Sequence, residues 1–214
     1  MKLLFIGDSI TDMRRERTEG FRVYSFGNGF VFALEGYLGK NYPGKYEIIN
    51  RGISGDRIVD IYQRIKVDCW NLSPDVITIM VGTNDVLHDV RDGNGVEIDR
   101  YERFYNMLIE DTQKVLPNTK IIVMGSFVTH GSTTDPIYEQ ISDIRKYAEI
   151  AKKVALSHNC TYVSLQPVFD DLTNNMPTSY YLFDGIHPTV VGAHVIAEEW
   201  IKEFSKIEGL QNND

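Results

Sequence analysis

Two cysteines in 214 residues, Cys69 and Cys160, stand far apart, with no CxxC pair and no Cys/His spacing of the kind that holds zinc. That scarcity removes a disulfide-framed fold and a cysteine-built metal centre, and two buried, reduced thiols are the expected state. Positive charge is also short: 22 Lys and Arg face 30 Asp and Glu, a formal net charge of −8. A phosphate-tracking surface needs the opposite balance, so nucleic acid is excluded as a partner. The densest basic stretch, Arg14, Arg15 and Arg17, is interrupted by Glu16 and followed by Glu19, and reads as a solvated or pocket-rim segment. Long apolar runs are missing. Leu3–Ile6 is too short for a signal-peptide core and no later run approaches a membrane span, so the expected location is the cytoplasm, with no membrane partner. There is no Walker pattern, and Gly27-x-Gly29 lacks both a preceding strand and the third glycine of a dinucleotide fingerprint. No metal and no cofactor are expected.

What is present is the composition of a globular protein, 43% hydrophobic and 24% charged, long enough for one sizeable α/β domain. Short apolar runs alternate with helix-period segments, the pattern of a mostly parallel sheet covered by helices. The strand candidates are Leu3–Ile6, Tyr46–Ile49, Val76–Val81, Ile121–Met124 and Thr161–Ser164, most of them nearly continuous in Ile, Val and Leu. Helix candidates fall at Phe30–Leu38, Arg57–Lys66, Arg100–Val115, Ile137–Ser157 and Thr189–Ser205. No repeat or linker interrupts the series, which reads as a single domain over 1–206 with a polar tail over 207–214.

In an open parallel sheet, ligands bind beyond the carboxyl ends of the strands. The first strand is followed by Gly7-Asp8-Ser9-Ile10-Thr11, the second by Asn50-Arg51-Gly52-Ile53-Ser54-Gly55 and the third by Gly82-Thr83-Asn84-Asp85. Asp184-Gly185-Ile186-His187-Pro188 precedes the last helix. A serine hydroxyl becomes a useful nucleophile when an imidazole takes its proton, and a carboxylate on the other ring nitrogen fixes the tautomer. Asp184 and His187, three residues apart, can share one side of a turn.

These four blocks, in this order, resemble the SGNH hydrolases, also called the GDSL esterase family, over nearly the whole chain from Lys2 to about Phe204. The resemblance implies a three-layer α/β/α, flavodoxin-like fold on a mostly parallel five-stranded sheet. It implies Ser9 as nucleophile, Asp184 and His187 as its partners, and Ser9, Gly52 and Asn84 as oxyanion donors. Gly52 has no Cβ, so its N–H can approach a substrate closely, while Gly55 reads as serving turn geometry. The finer match, in LLFIGDSITD, NRGISGDR and DGIHPTVVGAHVIAEEW, is similar to the intracellular acetylxylan esterases of the family. That implies a small-molecule acetylated-sugar substrate and a homo-oligomer.

Asp8, His88, His130 and Phe183 are the further candidates for substrate contact. Asp8 has a structural hydrogen bond as its competing role. Tyr101, Tyr105, Tyr180 and Tyr181 offer stacking surfaces. His194 reads as a packed core histidine and His158 as a helix-dipole partner. Two rival functions stand beside the sugar esterase: a lysophospholipase or thioesterase on the same residues, and a non-catalytic flavodoxin-like module for a nucleotide or phosphate.

Overall fold

The structure, a computed structural model, describes residues 1–18 and 24–209. Glu19 and the polar end Gln211–Asp214 lie outside the described residues. Five strands, β1 Lys2–Gly7, β2 Glu47–Asn50, β3 Val76–Met80, β4 Lys120–Met124 and β5 Thr161–Val163, form one sheet in the order β2-β1-β3-β4-β5. All its pairings are parallel. Helices cover both faces, as the continuous burial of Leu3–Gly7 and Val76–Met80 requires.

The helices are α1 Ser9–Asp12, α2 Phe30–Asn41, α3 Ile58–Asp68, α4 Thr83–Asp92, α5 Ile98–Val115, α6 Tyr138–Ile141, α7 Ile144–Ser157, α8 Gln166–Asn175, α9 Thr178–Tyr181 and α10 Val190–Glu208. Helices α2 and α10 pack together, and α3, α5 and α7 form a second packed row. Helix α10 starts at a Thr189 cap, whose hydroxyl accepts the Gly192 N–H at 3.2 Å. It is fastened to the sheet by Trp200, which is fully buried, lies tilted against Phe5 with ring centroids 5.3 Å apart and donates its indole N–H to Thr78 at 2.9 Å. Among the described residues no helix is long and apolar enough to cross a membrane.

Four differences from the sequence reading stand out. Helices α1, α4, α8 and α9 lie outside the five helix candidates. The segment read as one helix over Ile137–Ser157 is a 3₁₀ turn, α6 and α7, broken at Ser142-Asp143. Helix α10 runs to Glu208, so Ile207 and Glu208 belong to it and not to a tail. His194 is exposed on α10 instead of packed in the core.

The register positions the site. Gly7 of β1 is level with Met80 of β3, and Phe5 is level with Asn50 of β2. The three polar turns that follow these strands therefore leave the sheet side by side.

Candidate active site

Ser9 opens α1 directly after β1 and is half-buried. Its hydroxyl lies 2.8 Å from His187 Nε2, although the two residues are 178 apart in sequence. His187 Nδ1 lies 2.7 Å from Asp184 Oδ2. The other carboxylate oxygen of Asp184 accepts the N–H groups of Ile186 at 3.0 Å and His187 at 2.8 Å. The loop after β4 braces this turn: Thr129 N–H donates to Gly185 O at 3.0 Å and Thr133 N–H to Asp184 O at 3.2 Å. Gly131 packs so closely there that a Cβ would lie 2.5 Å from Gly185 N. The carboxylate is thus fixed by a short turn and the imidazole by the carboxylate.

The electrostatics follow the geometry. Burial by itself would lower the His187 imidazole, but the hydrogen bond and charge of Asp184, helped by Asp8, outweigh it and raise it above 6.5. Burial pushes Asp184 the other way, and the ring and backbone N–H bonds of His187 and Ile186 hold it below its usual value. An imidazole hydrogen-bonded to a charged carboxylate is placed to take the Ser9 proton and to hold it as an imidazolium.

Asn84, at the start of α4, is buried and donates from Nδ2 to Asp56 O at 3.1 Å, and its second amide hydrogen has no acceptor among the described residues. Its neighbour Asp85, fully buried, accepts the Ile58 N–H at 3.0 Å, so both ends of the turn before α3 are tied to the β3 turn. Desolvation pushes Asp85 up to about 8 and Asp8 up to about 6.

Gly52 does not serve as expected. Its N–H donates to Asn50 Oδ1 at 2.8 Å, and a Cβ on it would lie 2.3 Å from Asp12 N. Its small size lets the second turn pack beneath α1, and its donor is spent. The available N–H is that of Gly55, which makes no hydrogen bond among the described residues. Gly55 holds φ +93° with open space where a Cβ would stand, between Ser54, which lines the cavity, and Asp56, which holds Asn84. The Ser54-Gly55-Asp56 sequence carried this as a turn signal only.

A cavity of about 620 Å³ opens over Ser9 and His187 and is walled by Arg14, Arg17, Asn28 and Phe183 among others. Phe183, 54% exposed, lies nearly parallel to the His187 ring at 5.5 Å. The other proposed contacts are not in this wall. Asp8 is buried and accepts the Ile10 N–H at 3.0 Å, which fixes the turn at Ser9. His88 is half-buried on α4. His130 is exposed, stacked on Tyr138 at 3.7 Å and paired with Asp135 at 2.9 Å. Tyr101 and Tyr105 are wholly buried, the former donating to Val81 O at 2.9 Å, and pack the core.

The model of the GDSL-like lipase/acylhydrolase family matches residues 5–195. The chain belongs to that family. This GDSL-family chain is 31% identical over 209 residues to an acetylxylan esterase of Geobacillus stearothermophilus, an alignment covering 95% of this chain and 93% of that protein. The crystal structure of that esterase superposes with a TM-score of 0.83, covering 94% of this chain and 93% of that one. A GDSL-like lipase, so described, from Parabacteroides merdae superposes with a TM-score of 0.87 at 30% identity, covering 94% of each chain. The protein is a carboxylic ester hydrolase of the SGNH type.

Proposed function

We propose that this esterase removes acetyl groups from acetylated sugars, xylo-oligosaccharides first among them, with Ser9 as nucleophile, His187 as general base and Asp184 as its orienting partner. The observation that carries the catalytic part is the unbroken run from Ser9 Oγ to His187 Nε2 at 2.8 Å and from His187 Nδ1 to Asp184 Oδ2 at 2.7 Å, at the floor of an open cavity. Solved structures of catalytic mutants of the Geobacillus stearothermophilus enzyme support it: they carry alanine for a serine, an aspartate and a histidine, the last two three positions apart.

In this reading Ser9 Oγ attacks the acyl carbonyl as its proton passes to Nε2. The developing oxyanion accepts hydrogen bonds from the N–H of Ser9, the N–H of Gly55 and the free amide hydrogen of Asn84. The tetrahedral species collapses as Nε2 returns the proton to the departing sugar oxygen, leaving acetyl-Ser9. A water, deprotonated by the same imidazole, then releases acetate and regenerates the hydroxyl.

The acetyl and sugar assignment is supported by the name of the acetylxylan esterase relative. A half-exposed Phe183 at the rim can take the apolar face of a pyranose ring. The cytoplasm is the proposed location, supported by two buried free thiols, and self-association follows the family resemblance. Cell fractionation and sedimentation test these two points.

The substrate test is kcat/KM across aryl esters from acetyl to octanoyl, with acetate release from acetylated xylo-oligosaccharides measured alongside. A maximum at acetyl with sugar deacetylation is expected. Each methylene taken up by a long apolar groove would add about 0.8 kcal/mol. A steady rise toward octanoyl with no acetate released from any sugar would therefore replace the sugar reading with a lysophospholipase or thioesterase.

A further inference from the structure

One charged side chain in the cavity wall has no counterpart among the described residues. Asp12 is saturated: Oδ1 accepts the Arg15 N–H at 3.1 Å, and Oδ2 accepts the Ser54 N–H at 3.0 Å and the Arg17 guanidinium at 2.8 Å. Asp184 is committed to His187 and Ile186. Arg14 lines the same cavity, is exposed, and makes no ion pair or hydrogen bond through its side chain among the described residues. In a chain of net charge −8, acidic groups are plentiful, yet none is set against this guanidinium among those described.

The backbone goes out of its way to present it. Met13 and Arg14 both lie in the left-handed region, at φ 37° and 60°, where L-residues other than Asn, Asp and Gly are uncommon. Two neighbours hold the turn in that shape. Asn28 N–H donates to Met13 O at 2.9 Å, and the flanking glycines allow the contact, since a Cβ on Gly27 would lie 2.3 Å from Asp12 O and one on Gly29 2.5 Å from Met13 Cγ. On the other side, buried Arg15 donates from Nε to Gly52 O at 2.8 Å. The Gly27-Asn28-Gly29 segment, which binds no nucleotide in this reading, has its role here as the brace for Arg14. Backbone strain held in place around an unpaired charge, beside a nucleophile, points to a ligand.

We infer that Arg14 is a specificity residue that takes a carboxylate on the alcohol part of the substrate, so that the preferred ester is an acetylated saccharide bearing a carboxyl group. This rests on the acetyl-sugar reading above and narrows it. A single planar guanidinium fork matches the two oxygens of one carboxylate. A monoanion suits the site better than a phosphate dianion, because among the described residues one spare cation stands among the carboxylates of Asp12 and Asp184.

The test compares three acetylated xylo-oligosaccharides of equal length: one with a glucuronic acid branch, the same compound with that carboxyl methyl-esterified, and the unbranched neutral chain. Each is assayed by acetate release with the wild type, Arg14→Gln and Arg14→Asn. The asparagine variant suits the left-handed backbone and so keeps the turn even if glutamine disturbs it. The wild type should prefer the free acid over its methyl ester by about five- to tenfold in kcat/KM, as for a partly solvated bidentate charge pair. In both variants that ratio should fall to about one. Because the ratio is taken within each variant, a general loss of activity does not affect it. Wild-type turnover of all three substrates at equal rates would overturn the carboxylate proposal and leave the sugar esterase standing. A preference that survives in both variants would remove Arg14 from the role. Hydrolysis of aryl acetates with none of the sugars would overturn the sugar reading and this inference together.

Discussion

Replacing Asn84 by alanine removes one hydrogen bond that the structure shows and one that the proposed mechanism requires, and their effects can be separated. The first runs from Nδ2 to Asp56 O at 3.1 Å and exists in the resting protein. Its loss should cost about 1 kcal/mol of stability, which for a chain of this size is a fall of about 2–4 °C in Tm. The second, in the proposed mechanism, is made to the oxyanion and would exist in strength only in the transition state. Loss of such a donor commonly costs about 2.7–4 kcal/mol, a fall in kcat of roughly 10²–10³. Because the ground-state carbonyl is a poor partner for that amide, KM should stay nearly constant. The assay is steady-state hydrolysis of an aryl acetate well below the melting transition, with thermal unfolding measured on the same preparations. Asn84→Asp sharpens the test, since it keeps the shape but, when ionised, sets an acceptor against Asp56 O and the forming oxyanion. It should be no more active than the alanine variant. A rise in KM with kcat intact would make Asn84 a substrate-binding residue, and a kcat loss under tenfold would remove it from the oxyanion site.

Ser9→Ala should retain only the catalysis of binding and oxyanion donors, a loss of very roughly 10⁴-fold or more, and an organophosphonate should label the wild type at Ser9 with matching loss of activity. Labelling at another residue would contradict the nucleophile assignment. The base acts when neutral, and His187 is raised above 6.5, so kcat/KM should fall as pH drops through that raised value. Asp184→Asn removes the raising carboxylate and leaves burial, so the acid limb should move to lower pH as kcat falls; an unmoved limb would show that Asp184 does not tune the base. Asp85, at about 8, and Asp8, at about 6, keep in the folded protein protons that the unfolded chain releases above about pH 4. Their contribution to stability is full below that pH and is lost as pH rises toward 8. Asp85→Asn should therefore flatten the decline in Tm between pH 6 and 8, and an unchanged slope would refute the assignment.

Most of the sheet was readable because buried parallel strands leave continuous apolar runs, and all five strand candidates overlap the strands observed. Helix α4 escaped because its sequence, TNDVLHDVRD, opens with turn-forming residues and holds only three apolar side chains, Val86, Leu87 and Val90, to mark a face. Helix α8, QPVFDDLTNN, buries only Phe169, so no stripe announced it. The break at Ser142-Asp143 is local chemistry that a helix-period count averages over: the Ser142 hydroxyl donates to Glu139 O at 3.1 Å. At the site, Ser9, His187, Asp184 and Asn84 could be named because each sits in a short block of fixed spacing. Gly52 could not be told from Gly55. The difference lies in the Asn50 side chain, which turns back to take one N–H while its own amide bonds Thr11 O at 2.7 Å and Phe26 O at 2.9 Å. His130 and His88 had the right position after a strand, but the direction of a side chain is decided by partners such as Tyr138 and Asp135 that lie outside the motif.

Ser9, the proposed nucleophile, follows the first strand, and His187, the proposed base, lies just before the last helix. Nothing local joins them. In the folded chain they meet where the loop after β4 braces the His187 turn and α10 seats Trp200 against Phe5 and Thr78. If Ser9 and His187 act together as proposed, ester turnover in a refolding chain requires both ends of the chain to have docked on one sheet. A chain with its C-terminal turn undocked would keep Ser9 and lose the imidazole beside it, so activity would report the joining of the chain's two ends.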